Sequence, residues 1–174
     1  MTAIIIIICV IALLLLIAAL MPKEMNVEQT IVINKSRKEV FDYVKYIKNH
    51  DNFSVWAMMD PDMKKEYRGT DGQAGFVYAW DSKKKKNVGT GEQEIKAIND
   101  GERIEHEIRF IKPRQDVAQA KFIFTAVGDK QTKVLWAFDS RMKFPGNVMK
   151  PLVVGILDKS LVTGLNKLKT ILEG

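Results

Sequence analysis

The residues able to do acid–base or thiol chemistry are few. The chain has two histidines, His50 and His106, and one cysteine, Cys9. His106 lies in the run Arg103-Ile104-Glu105-His106-Glu107-Ile108-Arg109-Phe110, where charge and apolarity alternate strictly. Period two makes this a strand with Arg103, Glu105, Glu107 and Arg109 toward solvent. It turns Ile104, His106, Ile108 and Phe110 inward. An inward imidazole titrating near neutrality can act as a general acid or base. It can equally be a buried neutral ring hydrogen-bonded to Gln93, Tyr78 or backbone. No carboxylate is expected on the same face to activate it, because Glu92, Glu94, Glu105 and Glu107 all fall on the solvent side.

Other groupings carry weaker chemistry. His50, Asp51, Asp60 and Asp62 are a poor ligand pattern, and Asp60-Pro61-Asp62 is turn chemistry, so no metal is expected. The glycine-rich stretch Gly69-Thr70-Asp71-Gly72-Gln73-Ala74-Gly75 joins two strands. It lacks the helix N-terminus that a phosphate loop needs, and reads as a turn. Cys9 lies in an apolar run, which leaves the rest of the chain without a thiol nucleophile or a disulfide. Lys83, Lys84, Lys85 and Lys86 form the densest charge cluster. They read either as a solvated hairpin turn or as a weak contact to anionic headgroups. With no aromatic interleaving around them, nucleic acid is not an expected partner.

These groups are positioned by an ordered set of elements. Residues 27–33 alternate and are β-branched, a strand. Ser36 with Glu39 three residues later is a capping box, opening a helix striped by Val40, Phe41, Val44 and Ile47. Residues 49–59 suggest a short helix or irregular turn carrying Phe53 and Trp56. Six strands follow, at 64–68, 75–81, 88–99, 103–111, 118–127 and 132–142, each ended by turn residues, which makes an antiparallel meander. Parity directs Phe76, Tyr78 and Trp80 inward, with Gln93, Ile95 and Ala97, with Ala120, Phe122 and Phe124, and with Val134, Trp136 and Phe138. A long helix spans roughly 147–172, with Val154, Leu157, Leu161, Leu165, Leu168 and Leu172 at three- and four-residue steps. Its first half is apolar nearly all round and its second half is amphipathic. Such a helix packs across the sheet at one end and emerges into water at the other.

Ahead of these elements, residues 3–21 contain no charge, glycine or proline. As a helix they measure about 28 Å, near a bilayer's hydrocarbon thickness. No Lys or Arg precedes the run and no small-x-small cleavage site ends it, so an uncleaved single-pass anchor with Ile4 and Leu20 near its ends is expected. Lys23, Lys35, Arg37 and Lys38 follow it, which places the rest of the chain on the cytoplasmic side. The division is then residues 1–22 as anchor and 23–174 as one soluble α+β domain. Of 174 residues, 27 are basic and 21 acidic, and the net charge of +6 lies wholly outside the anchor.

The order of strand, short helices, six-strand meander and long C-terminal helix resembles the START-like (SRPBCC, polyketide cyclase/dehydrase-like) superfamily with the helix-grip fold. The likeness runs from Asn26 to Gly174. It is carried by residues 27–46, Phe53-Ser54-Val55-Trp56, residues 75–80, Val88-Gly89-Thr90-Gly91-Glu92, residues 103–113 and Thr132-Lys133-Val134-Leu135-Trp136. The resemblance implies a curved sheet wrapped around the C-terminal helix, with a cavity between them. Lining residues would be Trp56, Tyr78, Trp80, Gln93, Ile95, His106, Ile108, Phe110, Phe122, Phe124, Trp136 and Phe138, entered between the helix and the loops around Trp56 and Phe144. Such a wall suits a hydrophobic small molecule or lipid, without a cofactor. Two alternatives stay open. One is a cyclase/dehydratase-like enzyme using His106 with Tyr78 or Gln93. The other is an interaction module whose aromatics simply fill the core.

Overall fold

A computed structural model describes residues 1–83 and 88–174. Lys84, Lys85 and Lys86, three of the four clustered lysines, lie outside the described residues. Helix α1 (Thr2–Leu20) is long and apolar enough to cross a membrane, with a mean hydropathy of 3.6, and only Ala18 in it is buried. Strand β1 (Glu24–Ile33) follows at once. Helix α2 (Arg37–Val44) starts where its capping box predicts: Glu39 N–H donates to Ser36 Oγ at 3.3 Å and Ser36 N–H to Glu39 Oε2 at 3.0 Å. The expected second helix divides into a 3₁₀ turn (Ile47–Asn52) and a single turn, α3 (Val55–Met58). Asp71, from the glycine-rich turn, holds the start of the 3₁₀ segment by accepting from Ile47 N–H at 2.8 Å and Lys48 N–H at 3.2 Å.

Six strands then run as a meander: β2 (Lys64–Arg68), β3 (Val77–Asp81), β4 (Thr90–Asn99), β5 (Arg103–Lys112), β6 (Asp116–Gly128) and β7 (Gln131–Arg141). Strand β1 pairs with β7, giving one antiparallel sheet in the order β1-β7-β6-β5-β4-β3-β2. A 3₁₀ turn (Gly146–Met149) leads into α4 (Lys150–Glu173), with Pro151 in its first turn, where a missing N–H does no harm. The sheet is curved around the core, and Gly91 marks one place where that curvature requires a missing side chain. A Cβ there would stand 2.5 Å from the Trp80 ring and 2.7 Å from the Arg109 carbonyl oxygen.

Side-chain parity follows the alternation of the sequence along most of the meander. Phe76, Tyr78, Ile95, Ile104, His106, Ala120, Phe122, Phe124, Val134 and Trp136 are all buried. Ala97 is a correction. A register shift between Ile95 and Ala97 makes a bulge, so Ala97 pairs with outward Glu105 and is exposed. Ile98 takes the inward place opposite Ile104 and packs on the core.

The core lies between the concave face and a cover made of α2, the first 3₁₀ turn and α4. The two halves of α4 behave differently. From Leu157 onward, Leu157, Leu161, Leu165 and Leu168 are buried. Polar straps tie the same stretch to β1 and the turn after it. Gln29 Nε2 donates to Asp158 at 2.5 Å, Lys169 Nζ to the Val32 carbonyl at 2.7 Å, and Asn34 N–H to Glu173 at 2.6 Å. Gly164 lets the helix approach closely, because a Cβ there would meet the Trp136 ring at 2.7 Å. Before Leu157 the helix packs on the core through Val153 and Val154, while Leu152 and Ile156 on its other side are exposed.

Candidate functional site

His106 sits at the middle of the concave face, on β5 between Ile95 of β4 and Ala120 of β6. It is fully buried, and neither ring nitrogen has a hydrogen-bond partner among the described residues. The expected hydrogen bond to Gln93, Tyr78 or backbone is therefore not made. Above the ring lies His50, edge-on at 5.6 Å, with Phe122 at 6.1 Å. His50 was not foreseen here. It is buried, and its Nε2 lies 2.8 Å from the Val44 carbonyl, so that nitrogen carries the proton and donates. A 3₁₀ turn has no two-colour periodicity, and nothing in its sequence announced an inward imidazole.

Burial holds both rings below the ordinary histidine value, His106 well below it, where the neighbouring His50 adds to the effect. Both are neutral at physiological pH. Among the described residues, no carboxylate touches either ring. Glu105 and Glu107 point through the opposite face of the sheet, where Glu107, Glu94 and Glu92 converge on Arg109 at 2.7, 2.7 and 3.1 Å. The arrangement suits a polar contact within an apolar wall better than proton transfer.

The aromatic lining falls into two groups. Phe122 and Trp136 stack at 4.8 Å, with Phe53 edge-on to Trp136 at 5.8 Å, beneath the distal half of α4. Phe124 continues this group toward Phe41 of α2. Nearer the β2 edge, Tyr67, Tyr78 and Trp80 stack in succession at 5.6 and 5.8 Å, and Phe110 meets Trp80 edge-on at 6.3 Å. Trp80 Nε1 donates to the Val88 carbonyl at 3.2 Å, and burial pushes the Tyr78 hydroxyl's pKa up, keeping it protonated. Trp56, on α3, and Phe138, on β7, are partly buried against the core, while Gln93 and Ile108 face each other half-buried across β4 and β5.

In this conformation the protein's own rings occupy the space between sheet and helix. A cleft of about 660 Å³ opens instead at the anchor end of the sheet, lined by Lys23, Phe110, Val117, Arg141, Met142 and Phe144 among others. Phe110 is the one expected lining residue that reaches it. The residues considered for a metal are engaged elsewhere: Asp51 with Lys65 at 2.7 Å, and Asp60, buried, accepting from Ser82 Oγ at 2.6 Å. Among the described residues no cluster of metal-ligating side chains occurs.

A family model described as "Polyketide cyclase / dehydrase and lipid transport" matches residues 24–173. The chain belongs to that family. Solved structures share its fold at low identity. Norcoclaurine synthase from Thalictrum flavum, in complex with dopamine and hydroxybenzaldehyde, superposes with a TM-score of 0.64 at 8% identity, covering 89% of this chain and 90% of that one. A protein from Mesorhizobium loti gives 0.62 at 12% identity, covering 86% and 97%. One from Thermus thermophilus gives 0.59 at 15% identity, covering 85% and 97%. Among curated proteins, none matches this sequence. The family match begins at β1 and leaves α1 outside the matched residues.

Proposed function

We propose that this family member binds a hydrophobic small molecule or lipid between the concave sheet and α4, without catalysing a reaction, while α1 holds it at a membrane. The observation that carries this reading is His106: a fully buried imidazole, unpartnered among the described residues, set in an aromatic wall. An unpaired buried polar group costs about 1–3 kcal/mol. A ligand with one polar atom and an apolar body would recover that cost and be oriented by it. Entry would run between α4 and the loops around Trp56 and Phe144, and would require the short segment bearing Phe53 and Trp56 to swing away from α4. The fold's capacity for small aromatic molecules is illustrated by the norcoclaurine synthase complex. The cations after α1 favour a cytoplasmic domain. The cyclase/dehydratase alternative asks His106, with Tyr78 or Gln93, to move a proton. Burial, which takes the ring's pKa well below the ordinary histidine value, moves it away from the near-neutral range that suits a proton carrier.

Native mass spectrometry of the full chain released from detergent micelles tests the proposal. The wild type should carry a discrete mass adduct that persists across detergents, and His106→Leu should lose it. A bare wild-type chain in every detergent, or an adduct indifferent to His106→Leu, overturns the reading.

One observation favours a second reading. Phe53, Phe122 and Trp136 already fill the space beneath α4, as in an interaction module with a complete core. Such a module would use its surface, including the headgroup contact proposed for the lysine cluster beginning at Lys83. The bare-chain outcome above would select it.

A further inference from the structure

The turn before α4 grips the end of α1. Asn147, fully buried, donates from Nδ2 to the carbonyl of Ala18 at 2.5 Å and to that of Met21 at 3.2 Å. These are carbonyls that a helix C-terminus leaves without partners. Met142 N–H donates to the Lys23 carbonyl at 2.8 Å, closing the same junction from the sheet side. Domain and helix are thus joined at this junction by three hydrogen bonds. Ala18 lies two residues before the end of α1, about 3 Å along its axis. A 19-residue helix measures about 28 Å, against a hydrocarbon core of about 30 Å. The grip therefore sits where α1 leaves the hydrocarbon, and whatever neighbours Asn147 in the chain lies at that depth too.

What neighbours it is apolar and uncovered. Phe144, Met149, Leu152 and Ile156 are 49, 48, 56 and 47% exposed. Met149, Leu152 and Ile156 fall at positions i, i+3 and i+7, one stripe of the helix. Along that stripe the apolar character stops at Lys159, about 10 Å beyond Leu152. Cations flank it: Lys143 and Arg141 are exposed, and Lys23 and Lys150 are half-exposed.

Resting on the reading of α1 as a membrane span, we infer that Phe144, Met149, Leu152 and Ile156 form a docking face that inserts into the surface of an anionic phospholipid bilayer. The domain then lies against the membrane in one fixed orientation, with the cleft beside Phe144 opening at the headgroups. Apolar burial supplies the attachment, and the flanking cations favour anionic lipid.

The test uses the full chain with Cys9→Ser, reconstituted in phosphatidylcholine vesicles with and without phosphatidylglycerol. Single spin-labelled cysteines are placed at Ile11, Phe144, Leu152, Ile156 and Thr163, the last exposed on the polar stretch of α4. Collision with oxygen should exceed collision with an aqueous nickel chelate at Ile11, Leu152, Ile156 and Phe144, and the order should reverse at Thr163. Phosphatidylglycerol should deepen the three docking-face labels. Labels at Leu152 and Ile156 as aqueous as Thr163, with Ile11 in lipid, overturn the docking face alone. An aqueous Ile11 overturns the anchor and the docking face together. Spin–spin broadening at Leu152 that persists in micelles and in vesicles overturns the proposal in favour of a second copy of the chain.

Discussion

The two faces of the sheet treat polar groups in opposite ways. On the convex face every member of the Glu92, Glu94, Glu107 and Arg109 group meets an opposite charge, and Arg68 adds a further contact to Glu92 at 2.6 Å. On the concave face a single imidazole has no partner among the described residues and is surrounded by rings. Water could satisfy the convex charges unaided, so their pairing stabilises the sheet only modestly. Nothing comparable serves His106. The expensive choice is on the side where the proposed ligand would bind, and the binding proposal rests on that asymmetry.

The comparison breaks first at the aromatic wall. Phe122 is fully buried, stacks on Trp136 and touches Phe53 edge-on. Phe122→Ala should lower stability by about 3–5 kcal/mol in urea denaturation. A loss under about 1 kcal/mol would mean that the concave face is loosely filled, and the contrast with a packed wall would fail. The next effect is pH dependence. Because folding lowers the pKa of His50 and His106, the unfolded chain binds protons first as pH falls below the ordinary value of 6.5. Stability from these rings is complete above that value and drains away on acidification, by up to about 1.4 kcal/mol per pH unit for each ring. Denaturation between pH 7 and pH 5 should show this slope, and His106→Leu should remove about half of it.

Much of this was legible in the sequence, and for a physical reason. Where one face of a strand is wet and the other dry, charge and apolarity alternate, so Ile104, His106, Phe122, Phe124 and Trp136 could be placed inward from parity. The same rule failed at Ala97, since a bulge adds a residue without altering composition. It also could not reach His50, whose 3₁₀ turn carries no period, or Asp71, which caps that turn from a loop 24 residues away. The uncovered half of α4 was hidden differently. Hydropathy reports that Leu152 and Ile156 avoid water, but not whether protein or lipid shields them. The grip of Asn147 on Ala18 and Met21 connects that stripe to the end of the apolar helix.

A smaller effect sharpens the concave side. Replacing a buried, unpaired polar group with an apolar one of similar size removes its desolvation penalty. His106→Leu should therefore raise stability at pH 7 by about 1–2 kcal/mol while abolishing the co-purified adduct. A destabilised variant would show that the imidazole contributes to packing or finds a partner in solution, and the two faces would then differ less than their geometry suggests.

The smallest effect belongs to the convex face. Hydrogen bonds from Arg109 are the chief cause of the lowered pKa of both Glu94 and Glu107, whereas Arg68 comes first for Glu92. Arg109→Met should accordingly raise the Glu94 and Glu107 carboxyls toward or above the ordinary value of 4.5, and move Glu92 less, as read by carboxyl chemical shifts against pH. Carboxylates with lowered values contribute stability that is present above the unfolded value and lost as pH falls through the folded one. The variant should therefore lose its shallow acid limb below about pH 4.5, with a change at neutral pH under about 1 kcal/mol. A larger loss would make the convex network a structural centre in its own right. Unchanged Glu94 and Glu107 titrations would show that solvent already screens these pairs, leaving the concave face as the one place where electrostatics decides anything.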